Sequence, residues 1–196
     1  MRKSPIIEIP CPKQVRYYLN AWKKQENYVL QEKALDKLFF KTYPNNKDIN
    51  DILIKASSLN DFYSTNIYSI FAVAKHIHSL NIDKRLRKGD LSLVDDIADI
   101  TIGGKIKRFY SFASKYCSHH EPTKFPIYDY FVEKVLIHFR NTDKFCKFHN
   151  DDLKQYPAFM DILKAFQEHY CLSQYNKKDL DRYLWQLGKR YFPRSY

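Results

Sequence analysis

Scarcity of glycine is the feature that most limits how this chain can fold. Only 4 of its 196 residues are glycine. All-β folds need glycine at their tight turns, and dinucleotide-binding α/β folds need it in their phosphate loops. The composition therefore disfavours both classes and favours helices. A chain of this length can bury a sizeable core, so we expect a single compact all-α domain.

Apolar residues recur at helical spacing along most of the chain, which predicts about nine or ten helices. One helix is expected over Phe62–Leu80, where a nearly continuous apolar run indicates a central position in the fold. Residues 1–12 alternate prolines with isoleucines, which predicts an extended N-terminal arm. The α-helical domain is then expected to span residues 13–196.

Cap residues mark where several of these helices should begin. Asp48 follows the turn residues Tyr43–Asn46 and is expected to cap the next helix. Asn176 or Asp179 is expected to open the last one. Both choices rest on the preference of Asp and Asn for the position just before the first helical residue.

The charge balance bears on partners rather than on the fold. Lys and Arg number 33 against 22 Asp and Glu, a net charge of +11. Such a balance is typical of proteins that bind nucleic acid or an anionic membrane, although it can also serve solubility alone. The longest apolar run, Ile67–Ala74, is far too short to cross a bilayer. We therefore expect nucleic acid as a partner and no membrane.

The 4 cysteines are scattered, with no CxxC pair and no secretory leader. This pattern predicts reduced thiols in a cytoplasmic protein. A zinc site could be assembled from Cys117, His119, Cys146 and His149, but these residues lie in separate segments without a recognised pairing. We expect neither a metal nor another cofactor.

The stretch from Thr101 to Val132 holds the residues best suited to chemistry. Its Gly103-Gly104 pair falls between one predicted helix that ends near Thr101 and another that begins at Ile106. Glycines at such a junction allow a tight turn and expose N–H groups that can hold a DNA phosphate at a helix start. A glycine pair also commonly does no more than end a helix. Both interpretations stay open on the sequence.

The helix predicted after the glycines has a polar face. Lys107, Ser111, Lys115 and Ser118 follow one another at helical spacing, and Arg108 is adjacent to that line. Two cations and two hydroxyls on one face suit a phosphate-lined cleft. They equally suit an ordinary solvated face, which is the simpler interpretation of the spacing alone.

Asp129 stands at the expected N-cap position of the next helix, after Phe125-Pro126-Ile127-Tyr128. As a cap it would stabilise that helix by about 1 kcal/mol. As a functional group it would be a carboxylate held at a helix start, facing the lysine-bearing helix. The two roles are compatible, because capping fixes the orientation of the carboxylate.

The segment GKIKRFYSFASKYCSHHEPTKFPIYDYFV resembles bacterial proteins related to the 8-oxoguanine DNA glycosylases of the helix-hairpin-helix superfamily. LNDFYSTNI and DLDRYLWQLGKRYF are similar to the same group, so the resemblance covers roughly residues 45–192. Its most distinctive part is SFASKYC followed by FPIYD. The resemblance implies a monomeric, DNA glycosylase-like helical fold with a helix-hairpin-helix element over about residues 90–132, and double-stranded DNA as the partner.

In active members of that superfamily, a lysine early in the second hairpin helix attacks the sugar C1′ after the base has been flipped out. It forms a Schiff base with the opened sugar, and an aspartate at the next helix start assists departure of the base. Asp129 matches that aspartate. The glycines align Lys105 or Lys107 with the nucleophile, and the SFASK phrase points to Lys115. A further alignment places Arg108 there, which would abolish Schiff-base chemistry.

The resemblance therefore singles out candidate catalytic residues and candidate contacts to DNA. They are Lys115, Asp129 and Lys107 for catalysis, and Gly103, Gly104, Lys105, Arg108 and Tyr128 for nucleic-acid binding.

Three functions remain compatible with the sequence. The first is a DNA glycosylase-like enzyme that excises a damaged or modified base. The second is a non-catalytic DNA-binding module on the same helical fold, and the third is a protein-interaction role in which the charge is incidental. The first two predict salt-sensitive DNA binding, and only the enzyme should lose activity on Asp129→Asn while keeping its affinity.

Overall fold

The computed structural model describes residues 6–193; residues 1–5 and 194–196 lie outside that range. The first five residues of the predicted arm are therefore not described, and the remainder runs in irregular backbone to Cys11. Between residues 6 and 193, the regular structure is helical apart from one two-stranded sheet, as the glycine content predicts. No helix in this range is long and apolar enough to cross a bilayer.

Residues 6–193 contain a series of α-helices, most of which follow the predicted apolar periodicity. They are α1 (Pro12–Trp22), α2 (Glu26–Asp36), α3 (Ile49–Phe62), α4 (Ile70–Ser79), α5 (Asp83–Lys88), α6 (Ser92–Ala98), α7 (Tyr110–His120), α8 (Tyr130–Thr142), α9 (Tyr156–His169) and α10 (Lys177–Tyr191). The remaining elements are a π-helix (Lys37–Thr42), a 3₁₀ helix (Asn150–Lys154) and the strands β1 (Asp99–Ile102) and β2 (Lys105–Arg108).

The chain packs as two compact units. The first combines Met1–Lys24 with Asp129–Tyr196 and contains α1 and α8 to α10. The second is Gln25–Tyr128, with α2 to α7 and the hairpin of β1 and β2. The single domain expected over residues 13–196 stays a prediction, because a division by packing does not decide whether the units fold independently.

Side-chain caps fix the starts of three helices. Asp48, Asp129 and Asn176 each accept a backbone N–H from two or three residues further on, at 2.8 to 2.9 Å. The predicted caps at Asp48 and Asp129 are confirmed, and the last helix uses Asn176 rather than Asp179. Each cap satisfies a donor that has no partner within its own helix.

In the first unit, α10 packs closely against α8. The approach is so close at Gly188 that a methyl group there would lie 2.5 Å from the carbonyl oxygen of Phe131. That atom belongs to backbone, which cannot move aside as a flexible side chain can. Glycine is therefore required at this position by the helix–helix distance and not by its own backbone conformation.

In the second unit, the core contains a charged group that the sequence pattern did not reveal. Lys55 of α3 is fully buried. Its ammonium group donates to the carbonyl oxygens of Tyr43 at 3.0 Å and Asn45 at 2.8 Å, and to the side-chain oxygen of Asn46 at 2.8 Å. These bonds fix the turn between the π-helix and α3 against the side of α3.

Asn46 extends this network to two further helices. Its side chain donates to Asp83 of α5 at 2.7 Å and accepts from the Tyr116 hydroxyl of α7 at 2.6 Å. Burial lowers the pKa of Lys55 to about 8, with Asp83 partly opposing the shift. Nε2 of His120 lies 3.3 Å from the Lys55 nitrogen. Burial holds the pKa of His120 well below its usual range, and the neighbouring charge of Lys55 lowers it further.

We expect Gly188→Ala to lower the free energy of unfolding by about 3 kcal/mol, because α10 must move away from α8 to admit the methyl group. Urea unfolding followed by circular dichroism measures the change. Lys164→Ala, at an exposed position of α9, is the control and should stay within about 0.5 kcal/mol of the native protein. Equal effects at both positions would contradict the close packing.

We expect Lys55→Met to lower the free energy of unfolding by about 3 kcal/mol, since a side chain of similar shape removes the ammonium donor that three oxygens share and breaks the link between the turn and α3. Lys41→Met, at an exposed position of the π-helix, provides the matched comparison and should be close to neutral. The same unfolding measurement applies. A neutral Lys55→Met variant would mean that these oxygens find other partners.

Candidate functional site

The Gly103-Gly104 pair turns a β-hairpin. β1 and β2 pair antiparallel with Ile102 opposite Lys105, so the two glycines form the whole loop. Their φ angles are +57° and +73°, values that two-residue hairpin loops require and glycine adopts at low cost. The predicted helix start at Ile106 is wrong. Four-residue strands are too short for apolar periodicity to distinguish from helical turns.

The two lysines of β2 share one face of the hairpin. Lys105 lies opposite Ile102 and Lys107 opposite Ile100, and directly opposed residues point to the same side of a sheet. Both lysines are exposed, whereas Ile100 is buried. Methyl groups at the two tip glycines would find no atom within 4 Å. The hairpin tip therefore stands clear of its surroundings and carries two accessible cations.

Arg108 fixes the base of the hairpin. Its guanidinium donates to the carboxylates of Asp95 in α6 at 2.5 Å and Asp99 in β1 at 2.6 Å. It also lies over the ring of Tyr110, with 4.9 Å between the guanidinium carbon and the ring centre. A phosphate at this arginine would compete with two carboxylates, so its evident role is to orient the hairpin against α6 and the start of α7.

The predicted polar face of the following helix takes a different form. α7 begins at Tyr110, so Lys107 lies on a strand and does not share a helix face with Ser111 and Lys115. The remaining residues do not form a solvated surface: Lys115 is 4% exposed, Ser118 is 0% exposed and Ser111 is half-buried. The simpler interpretation of this face, an ordinary solvated surface, is therefore wrong for α7.

Lys115 belongs to a polar row along α7. Ser111, Lys115 and His119 are spaced by four residues and so follow one another along this helix. The Lys115 amine donates to the Ser111 hydroxyl at 2.5 Å and lies 5.2 Å from the ring centre of Tyr63. The Tyr63 hydroxyl is 2.9 Å from Nε2 of His119. The row thus brings an amine, two hydroxyls and an imidazole together, with Lys115 and His119 buried and Ser111 and Tyr63 half-buried.

The same helix holds the backbone that leads to Asp129. The hydroxyls of Ser111 and Ser114 donate to the Tyr128 carbonyl oxygen at 3.1 and 3.3 Å, and the Tyr128 N–H donates back to Ser114 at 3.1 Å. The Tyr128 ring is buried, with its centre 4.7 Å from that of Tyr110. Tyr128 was predicted to contact DNA. Its side chain is packed against Tyr110, and the next residue in the chain is the candidate carboxylate, Asp129.

Asp129 is the N-cap of α8 in the first unit. One carboxylate oxygen accepts the Val132 N–H at 2.9 Å, and the residue is 8% exposed. The structural role predicted for this residue is therefore confirmed. Its role in assisting departure of a base stays a prediction.

The residues of the alternative zinc site form no such centre. Within residues 6–193, no group of three or more His, Cys, Asp or Glu side chains could hold a metal ion. Cys117 is buried in α7, and burial raises the pKa of its thiol. A protonated thiol is a poor ligand and a poor nucleophile, so Cys117 is a core residue.

Sequence reasoning missed an aromatic loop between α3 and α4. The predicted helix over Phe62–Leu80 is wrong in its first part, because residues 63–69 form this loop. Ser64 and Asn66 adopt φ angles of +47° and +55°, which a helix cannot contain. The Asn60 side chain holds the loop by accepting the Ile67 N–H at 2.9 Å and donating to its carbonyl oxygen at 3.2 Å.

The loop presents exposed rings beside a cation. Tyr68 is 98% exposed and Phe71, at the start of α4, is 60% exposed. The Lys75 amine lies 5.8 Å from the Phe71 ring centre. The Ser-Thr-Asn run before Ile67 was the available signal, since these residues favour turns over helix interiors.

Comparison with known proteins places the chain in a family. Residues 14–124 match the family model HI_0787_N, described as an N-terminal domain. Over 148 residues the chain is 51% identical to an uncharacterized protein of Haemophilus influenzae, covering 75% of this chain and 71% of that protein. The chain belongs to the HI_0787_N family. No solved structure matches it.

The HI_0787_N match defines which candidate residues belong to the family domain. It includes the hairpin, the polar row of α7 and the aromatic loop, and it ends before Asp129. The candidate amine and the candidate carboxylate thus fall on either side of its boundary.

Proposed function

We propose that this HI_0787_N protein is a DNA glycosylase-like enzyme that excises a damaged or modified base from double-stranded DNA. Lys115 is the nucleophile and Asp129 assists departure of the base. The observation that carries the proposal is the setting of Lys115, which is 4% exposed and donates to Ser111 at 2.5 Å. An amine that attacks carbon must be kept from full hydration and held in one direction.

Burial favours Lys115 over the other two lysines. Lys105 and Lys107 are exposed on a two-stranded hairpin, where water surrounds each ammonium group and no side chain fixes it. Within residues 6–193 neither lysine forms an ion pair with a carboxylate. Residues two apart on a strand point to the same side about 7 Å from each other. Such a pair suits contacts to the DNA backbone better than nucleophilic attack.

The proposed reaction uses the amine, the carboxylate and water. The Lys115 amine forms a bond to C1′ of the flipped nucleotide as the bond to the base breaks. The base leaves with that electron pair and takes up the proton that the attacking amine releases. The carboxylate of Asp129 stabilises the positive charge that develops on the sugar. Opening of the sugar ring then gives the Schiff base, and the ring oxygen takes up a proton from water.

The aromatic loop supports a base-flipping reaction. An exposed tyrosine on a loop fixed by Asn60 can stack on a base that has lost its neighbour, an interaction worth about 1–3 kcal/mol for each base. Phe71 adds a second exposed ring, and the Lys75 amine lies next to the Phe71 ring. This arrangement suits DNA whose stacking has been disrupted.

A non-catalytic DNA-binding module is the second candidate. The observation that favours it is the hairpin itself, which replaces the predicted helix-to-helix turn and carries two cations that can hold phosphates without any chemistry. On this alternative Lys115 and Asp129 are structural, and Asp129 is only a helix cap. Both candidate functions use the same proposed DNA-binding surface. Only the enzyme breaks the bond between the sugar and the base.

We expect Lys105→Gln/Lys107→Gln to reduce the slope of log affinity against log salt concentration by about 2, since each phosphate contact contributes about 0.9. Fluorescence anisotropy with a labelled duplex between low and moderate salt measures the slope. Lys37→Gln/Lys41→Gln, two exposed lysines of the π-helix, removes the same charge elsewhere. Equal slopes for the two double variants would exclude the hairpin as the contact.

We expect borohydride to trap a covalent complex between the native protein and duplexes that carry 8-oxoguanine, another modified base or an abasic site. Lys115→Gln should abolish the complex and Lys107→Gln should retain it. Asp129→Asn should slow base release by about 10²–10³-fold. It should leave thermal stability nearly unchanged, because Asn is as good an N-cap as Asp.

Other outcomes separate the two candidates. Salt-sensitive binding with no covalent complex and no base release on these duplexes would favour the binding module. Loss of the complex in Lys107→Gln instead of Lys115→Gln would move the nucleophile to the hairpin.

A further inference from the structure

We infer that Tyr63 and His119 are positioning residues that hold the Lys115 amine in its direction of attack. This role rests on the enzymatic function proposed above. It assigns a purpose to two residues that neither the sequence motifs nor the family resemblance identified.

The Lys115 amine is held from two sides. The Ser111 hydroxyl accepts from it at 2.5 Å, and the face of the Tyr63 ring lies 5.2 Å away, within the range of cation–π attraction. A lysine side chain has four rotatable bonds, and fixing it costs up to about 2 kcal/mol of conformational entropy. In this protein the fold already orders the Lys115 side chain before any substrate binds.

The ring of Tyr63 needs support of its own. Tyr63 is the C-cap of α3, and the loop that follows contains two residues in the left-handed region. The helical backbone therefore ends at this residue, and a contact from α7 orients the ring. The Tyr63 hydroxyl bonds to Nε2 of His119 at 2.9 Å, and the two rings lie with centres 5.7 Å apart.

His119 is itself immobilised. It is 1% exposed, and its ring lies against Phe39 of the π-helix with 5.4 Å between the centres. Because Lys115 and His119 are four residues apart on α7, Tyr63 contacts one helix at two successive turns. Its ring faces the amine at one turn while its hydroxyl binds the imidazole at the next. Lys115, Tyr63 and His119 thus form a closed triangle.

The triangle predicts how each substitution acts on the amine. Removing the ring of Tyr63 takes away the face that holds the ammonium group. Removing only its hydroxyl, or the imidazole, leaves the ring in place but removes the hydrogen bond to α7 that orients it. A glutamine at position 119 offers an amide that can still bond to the Tyr63 hydroxyl. If Tyr63 and His119 only pack in the core, their substitution should lower stability but should not change the environment of the Lys115 amine in this order.

The first measurement is NMR spectroscopy of protein labelled with ¹³C at the lysine Cε, with the Lys115 signal identified by its loss in Lys115→Gln. A group over an aromatic face is displaced upfield. We expect Tyr63→Leu to abolish that displacement, Tyr63→Phe and His119→Leu to reduce it, and His119→Gln to restore it. Tyr63→Phe keeps the packed ring, so it remains informative if the leucine variant fails to fold.

Borohydride trapping gives the second readout. We expect the trapping rate to fall by about 100-fold in Tyr63→Leu, because misplacing a reacting group by about 1 Å has an effect of that size. His119→Gln should remain close to native. An unchanged Lys115 signal in folded Tyr63→Phe and His119→Leu variants would overturn the inference. A displaced signal without trapping by the native protein would instead refute the enzymatic function, since the NMR measurement needs no substrate.

Discussion

The second unit depends on the burial of one ammonium group. Lys55 brings a charge into the core, where it must be satisfied by oxygens held at the right distance. The turn before α3 supplies two carbonyl oxygens, and Asn46 supplies a third acceptor while binding α5 and α7. A turn, three helices and a buried charge are thereby made mutually dependent. The position of α7 follows from this network, and the candidate site lies on α7.

Side chains of α7 contact two buried lysines: Lys55 of α3 and Lys115 of α7 itself. Tyr116 and His120 contact the network of Lys55, whereas Ser111 and His119 belong to the row of Lys115. Lys55 donates three bonds to oxygens, which use all of its hydrogens and leave it a structural cation. Lys115, by contrast, donates to a hydroxyl and lies near an aromatic ring. The second arrangement is the one in which we propose a reactive amine.

Local features of the fold were predictable from the sequence, and long-range ones were not. The helical class and the caps at Asp48 and Asp129 rest on composition and on bonds between near neighbours. The hairpin was missed because its strands are shorter than the window in which helix and strand periodicities differ. Lys55 was missed because its acceptors come from outside α3. The row of Lys115 has helical spacing, but only the packing around α7 shows that it is buried.

The distribution of carboxylates supports the proposal that the hairpin faces DNA. Around α6, aspartates are used to hold arginines: Asp90 and Asp96 bind Arg85, while Asp95 and Asp99 bind Arg108. Acidic and basic charge therefore cancel at the base of the hairpin, where the arginines have a structural task.

The lysines nearer the tip form no such ion pair with the carboxylates of residues 6–193. Lys105 and Lys107 are exposed on β2, and the glycine loop next to this strand has no atom within 4 Å of its Cβ positions. An unbalanced pair of cations on a short projection attracts an anionic polymer more strongly than the same charges spread over a helix surface. The chain carries a net charge of +11, and these two lysines contribute a part of it that the ion pairs around α6 do not offset.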